Sequence, residues 1–205
     1  VNIPNSITRI EDSTFSCCYN LAKVTLPSNL KEIGNSAFYY CANLNSIVIP
    51  DSVVSIEADA FSQCNSLTEL TIPKIFGTGI SYLFGASDRG SMLEIPLEKV
   101  TIKSENIPDY AFFYATRLKD VIANNANAIG EKAFYQCHSL ENLDSLAIES
   151  LGEEAFYGCG ALSSVNLSDK LESVPNYTFS FCSSLMSVTL PSALKSIGDY
   201  AFQYC

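Results

Sequence analysis

Tryptophan is absent from this 205-residue chain, histidine occurs once and methionine twice. With one histidine, any Ser–His–Asp or Cys–His arrangement must be built on His138. That residue sits at a variable polar position of a repeat, where other copies carry Asn65, Gly160 and Ser183. No C-x-x-C pair occurs, so the close cysteine pairs of a structural zinc site are missing. Positive charge is scarce. Twelve Lys and Arg against 22 Asp and Glu leave a net charge of −10, which gives a phosphate backbone no basic face to bind. No run of 18 apolar residues reads as a membrane span. The opening stretch Val1 to Ile10 lacks the charged and apolar regions of a signal peptide. Gly77-Thr78-Gly79 has neither the lysine nor the strand–helix setting of a P-loop. The acidic residues are scattered, and the adjacent pairs Glu11-Asp12 and Glu153-Glu154 read as solvated surface. The expectation is a non-enzymatic chain without cofactor or metal.

What the chain does have is a repeat. Phenylalanines stand at 15, 38, 61, 112, 134, 156, 179 and 202, with gaps of 23, 23, 51, 22, 22, 23 and 23. Three residues after each comes Cys18, Cys41, Cys64, Ala115, Cys137, Cys159, Cys182 or Cys205, and three further on, in seven of the eight copies, a leucine. Alternating apolar residues follow, as in Val24/Leu26 and Ile47/Ile49, and Pro27, Pro50, Pro73 and Pro191 close several units. Fixed periods of this length mark solenoids. The alternation predicts a short strand with one buried face, ended by proline because proline has no N–H for the ladder. The segment from Ala to Cys is too short for a regular helix and suits a helical or 3₁₀ turn. A single coil buries too little to fold alone, and stacking on neighbours supplies the rest.

The unit L-x-x-(V/I/L)-x-(I/L)-P-x-S-(L/V)-x-x-I-x-x-x-A-F-x-x-C resembles the BspA-like leucine-rich repeat over essentially the whole chain. The expected fold is a leucine-rich repeat solenoid of about eight stacked 22–23-residue coils with short strands and helical turns, a single domain over 1–205. Both ends fall within repeats, so the chain is expected to be part of a longer array. The resemblance implies a cell-surface or secreted binding module, extracellular and adhesive, whose partner is a host extracellular-matrix or cell-surface protein or a glycan. It implies a monomer with no nucleic-acid partner and no membrane insertion. A spacer that presents other domains is the alternative.

The cysteines admit two readings. They are small buried fillers with weak S–H contacts, or they bridge neighbouring coils. Rungs about 4.8 Å apart fit a disulfide's Cα range, but parallel side chains disfavour its dihedral.

The 51-residue gap contains the expected insertion, Lys74 to Pro96. It carries Ile75, Phe76, Ile80, Tyr82, Leu83 and Phe84, with Gly77, Gly79 and Gly85 marking tight turns, and it reads either as a packed excursion or as a binding protrusion offering Phe76, Tyr82, Phe84 and Arg89. Its Leu83-Phe84-Gly85-Ala86 is similar to an "LFGA" stretch in bacterial members of the family. The other candidate surface is the outward face of the strands. Its residues are Lys23, Thr25, Ser46, Val48, Glu69, Thr71, Lys99, Thr101, Asp120, Ile122, Ser164, Asn166, Ser187 and Thr189, with Val48 and Ile122 as apolar exceptions. Tyr39, Tyr40, Tyr114, Tyr135 and Tyr157 follow repeat phenylalanines and either recognise a partner or pad the turn. Asn166-Leu-Ser168 and Asn176-Tyr-Thr178 match the N-glycosylation pattern.

Overall fold

A computed structural model describes residues 1–143 and 148–205. The chain winds as a β-solenoid in which each coil lies on the next. A front sheet of parallel strands joins Ser46–Val48, Glu69–Ile72, Lys99–Ile102, Asp120–Ile122 and Asn142–Leu143, and Ser164–Asn166 pairs with Ser187–Thr189 further along. Short back strands run beside them: Arg9–Ile10, Glu32–Ile33 and Ser55–Ile56 form one set, and Asn106–Ile107, Ala128–Ile129 and Ser150–Leu151 a second. Ser173–Val174 pairs with Ser196–Ile197. In the front strands Ile47, Leu70, Ile72, Val100, Ile102 and Val121 are buried while their sequence neighbours point outward, as a period of two requires.

The Ala-Phe-x-x-Cys turn is not helical. Two residues before and two after each repeat phenylalanine the backbone is left-handed, as at Ser36 (φ 53°) and Tyr40 (φ 57°) around Phe38. This alternation sends every second N–H sideways. Ser36, Phe38 and Tyr40 donate to the carbonyls of Ala58, Ala60 and Ser62 on the next coil at 3.2, 2.8 and 2.8 Å. The intervening amides, Tyr39 and Cys41, fold back to Ser36 and Phe38 at 2.9 and 3.2 Å. The same scheme recurs at Phe15, Phe112, Phe134, Phe156 and Phe179. Left-handed backbone costs an ordinary residue roughly 1–2 kcal/mol, so the inter-coil bonds are what hold it.

Inside, the phenylalanine rings form a ladder. Phe15, Phe38 and Phe61 stack with centroids 5.2 and 5.5 Å apart, and Phe112, Phe134, Phe156, Phe179 and Phe202 continue at 5.1 to 5.4 Å. Each ring from Phe38 to Phe179 in this series is fully buried.

The cysteines are free thiols and do more than fill space. Six of the eight S–H groups donate to the carbonyl of the phenylalanine one coil back: Cys41 to Phe15, Cys64 to Phe38, Cys137 to Phe112, Cys159 to Phe134, Cys182 to Phe156 and Cys205 to Phe179, at 3.0 to 3.2 Å. That carbonyl also accepts the N–H three residues on in its own coil, so both of its lone pairs are used. Burial pushes the Cys137, Cys159 and Cys182 thiols up, Cys182 to about 12.

The expected insertion resolves differently. Phe84 lies 23 residues after Phe61. Phe61 N–H donates to the Leu83 carbonyl at 2.8 Å, where a regular coil places the alanine, while Asp59 N–H donates at 3.2 Å to Tyr82, one residue past the regular acceptor position. The Phe84 ring sits 6.4 Å from Phe61, tilted by 45°. Lys74 to Ala86 is therefore a further, degenerate coil, with a 3₁₀ helix at Ile80–Phe84 capped by left-handed Gly85. The excess falls after it. Leu70 pairs with Val100, 16 residues past Phe84, whereas Leu70 itself is 9 past Phe61. Beyond this coil the bonding shifts phase: Ile80 N–H, rather than a residue nearer Phe84, donates to Ala111 at 2.7 Å.

Two outcomes follow for stability and reactivity. Phe61→Ala should cost on the order of 3–5 kcal/mol in equilibrium unfolding through the cavity it opens; a loss under about 1 kcal/mol contradicts the ladder. In a native thiol assay Cys17, Cys18 and Cys205, which are exposed, should react quickly and the five buried cysteines only on unfolding. Because the Cys137, Cys159 and Cys182 thiols ionise near pH 8.5 once unfolded but are held protonated by burial in the fold, their contribution to stability is complete below about pH 8.5 and falls as pH rises toward 12. Cys182→Ala should flatten that fall in Tm; an unchanged slope rules out the thiol as its source.

Candidate binding surface

The strand register turns the scattered outward residues into rows. Ser46, Glu69, Lys99 and Asp120 lie side by side, and Val48, Thr71, Thr101 and Ile122 form the row beside them. Ser164 faces Ser187, and Asn166 lies in register with Thr189, in a separate pair. Lys23 and Thr25 belong to the same face but not to the same sheet, since Thr25 bridges to Asn2. The first row alternates hydroxyl, acid, base and acid across neighbouring strands about 4.8 Å apart. Val48 is 63% exposed and Ile122 only half-exposed, so one of the two apolar exceptions is fully available. The backbone of Asn142 lies in register with Asp120. It escaped the pattern because the apolar residue expected after Leu143 is Ser145.

The protrusion reading loses two of its residues. Phe76 and Phe84 are buried in the core, Tyr82 is half-buried, and only Arg89 is exposed. The reason is the degenerate coil: its aromatic groups complete the interior. Arg89 lines a cavity of about 250 Å³ with Ile75, Gly77, Thr78, Gly79, Pro108 and Asp109.

A second feature runs along the turn edge. Phe113, Tyr135 and Tyr157 stack at 5.0 and 4.9 Å with rings within 8° of parallel, and Phe181 and Tyr204 extend the series. Sequence reading named Tyr135 and Tyr157 but missed Phe113 and Phe181, which fall one and two residues after their repeat phenylalanines. Their faces cover one another, so the stripe presents edges and hydroxyls. Burial and the neighbouring Tyr135 and Glu154 raise the Tyr157 pKa, so its hydroxyl is neutral at physiological pH. Tyr39 and Tyr40 are more exposed than Phe113, Tyr135 and Tyr157, and Tyr40 meets Tyr19 edge-on at 5.1 Å. Charged groups nearby are mutually paired: Lys132 bridges Glu131 and Glu154 at 3.2 and 3.4 Å, and Arg117 and Lys119 hold Glu98 at 3.1 and 2.9 Å, which lowers its pKa.

His138 is exposed, with Nδ1 3.0 Å from the Gly158 carbonyl oxygen. Among the described residues no group of three or more His, Cys, Asp or Glu is placed to hold a metal. No helix among them is long and apolar enough to cross a membrane. Of the two glycosylation patterns, Asn176 is engaged: its Oδ1 accepts from Asp199 N–H at 2.8 Å and its Nδ2 donates to Glu153 at 3.4 Å. The Asn166 side chain lies outside the described residues.

The pattern that defines the BspA type leucine rich repeat region matches residues 1–105 and 105–205, with six copies. The chain belongs to the BspA-type leucine-rich repeat family. Solved structures similar to it include a leucine-rich repeat protein from Bacteroides ovatus (27% identity, all of this chain and 70% of that one, TM-score 0.47). A leucine-rich repeat protein of T. pallidum is 21% identical, with 97% of this chain and 72% of that one covered and a TM-score of 0.34. A leucine-rich cell surface protein from Faecalibacterium prausnitzii is 21% identical, with 96% and 58% covered and a TM-score of 0.37. No curated protein matches the chain. The BspA-type repeat accounts for the coil, and its outward positions are the ones free to carry recognition.

Proposed function

We propose that this chain is a non-catalytic binding module, displayed at a cell surface or secreted, that docks a host protein or glycan on its front sheet and serves adhesion. The observation that carries the reading is the pair of in-register rows, Ser46-Glu69-Lys99-Asp120 and Val48-Thr71-Thr101-Ile122, set on a backbone tied coil to coil. Main-chain pairing holds these side chains at fixed spacing, so little ordering entropy remains to be lost when a partner binds. The rows mix hydroxyls, both charge signs and one exposed valine, which suits a polar protein surface or a sugar and does not suit a phosphate backbone. Membership of the BspA-type family and the cell-surface description of a similar protein support the location.

The test is direct binding of the 205-residue chain to panels of extracellular-matrix proteins and glycans by biolayer interferometry. A double variant, Thr71→Arg with Thr101→Arg, should weaken the response at least tenfold. Ser173→Arg, on the back of the coil, should leave it within about twofold. Equal loss from both, or no binding across either panel, contradicts the reading.

A further inference from the structure

Among the described residues the front sheet is open between Val24–Leu26 and Ser46–Val48. Thr25 N–H donates to the Val1 carbonyl at 2.8 Å and Thr25 O accepts from Ile3 at 3.1 Å, so Thr25 faces the preceding strand. In a parallel strand neighbouring residues face opposite sides, which turns the N–H and C=O of Val24 and Leu26 toward Ser46–Val48. On the other wall Ile49 N–H donates to Thr71 at 2.8 Å, so Ile47 and Ile49 face onward and Ser46 and Val48 face back. The two rows of main-chain groups therefore oppose each other. Yet among the described residues no hydrogen bond joins Val24–Leu26 to Ser46–Val48, and the front sheet ends at Ser46–Val48.

Between the two walls lies a cleft of about 460 Å³ whose lining includes Lys23, Leu26, Ser46, Ile47, Val48 and Pro50. This is within the range of small-ligand sites. The coils do not separate elsewhere. Phe15 and Phe38 stack at 5.2 Å, Arg9–Ile10 pairs with Glu32–Ile33, and Phe15 N–H donates to Ala37 at 2.8 Å. The opening is confined to the binding face.

We propose that this cleft binds an extended peptide segment bearing a carboxylate. Both walls offer unpaired N–H and C=O groups at strand spacing, and an added strand satisfies both types at once. The floor is aliphatic and holds no aromatic ring on which a sugar face would stack. The one charged side chain of the lining is Lys23, exposed and, among the described residues, without an ion pair in a chain of net charge −10, so it selects an acidic side chain or a C-terminal carboxylate at that end of the segment. The proposal rests on the front sheet being the recognition face, and it narrows the partner to a protein with an exposed extended acidic stretch.

The test is a ¹⁵N NMR titration of the whole chain with a pool of acetylated, amidated hexapeptides of Val, Ile and Thr that carry one Glu at each position in turn. Three controls are the same pool with Glu replaced by Lys, the same pool N-methylated at alternate residues, and a neutral oligosaccharide mixture. The amides of Leu26, Ser46 and Val48 should shift with the Glu pool. Lys23→Glu should weaken the effect at least tenfold, and N-methylation should abolish it. Absence of shifts at millimolar peptide overturns the proposal, as do shifts indifferent to N-methylation or shifts produced by the oligosaccharides alone. If the Thr71→Arg, Thr101→Arg variant loses a macromolecular partner while the peptide pools leave the cleft amides still, the cleft assignment fails and the front-face reading stands. If the pools bind and no macromolecule does, the reverse holds.

Discussion

Everything in this solenoid depends on the main-chain bonds along the turn edge. Alternating left-handed and right-handed residues around each phenylalanine let half of the amides close local turns while the other half reach the next coil. That arrangement fixes the rise between coils near 5 Å, which is the ring spacing of the phenylalanine ladder and the strand spacing of the sheets. Strands of two to four residues hold few bonds of their own. They pair because the turn edge has already placed them at the right height.

Cysteine fits its position for a specific reason. The phenylalanine carbonyl is buried with one lone pair left after its own turn closes, and an unmet acceptor there is costly. A thiol donates to it without the desolvation penalty of a hydroxyl, since it is small and nearly apolar. The two coils beside the phase break carry Ser87 and Ala115 at this position instead. The break shifts which amides meet across that junction, from the usual residues near the phenylalanine to Ile80 and Ala111. The cysteine is thus tied to regular stacking, and it lapses where stacking is irregular.

Much of this was legible in the sequence because the interior repeats and the repeat is one of volume. Phe, Leu and the alternating aliphatics recur at fixed spacing, and that spacing gave the coil, its buried face and its outward residues. Three things were hidden. The left-handed positions are filled by residues such as Ser36, Tyr40, Lys132 and Gln136 rather than by glycine, so nothing marked them, and the turn read as helical. Phe84 is preceded by Leu83 in place of alanine and followed by no cysteine, so an in-period coil read as an insertion. The gap between Lys23–Leu26 and Ser46–Val48 lies between two coils whose sequences are both regular, and only their relative placement reveals it.

That last contrast bears on function. At the degenerate coil the repeat is irregular, with a shifted turn edge and excess residues after Phe84, yet Leu70 pairs with Val100 and the front sheet runs through unbroken. The back strands, in contrast, stop at Ser55–Ile56 and restart at Asn106–Ile107. The irregularity is absorbed on the back and at the loop, and the front rows keep their register. Between the coils of Phe15 and Phe38 the situation is inverted: the turn edge and back strands are regular, and the front sheet is open. An opening that tracked sequence irregularity would fall near Lys74 to Pro96. It falls instead among Lys23, Ser46 and Val48, on the face whose side chains are free of packing duties. The physical constraint that governs the interior leaves that face unconstrained, and it is there that one coil is free to differ from the next.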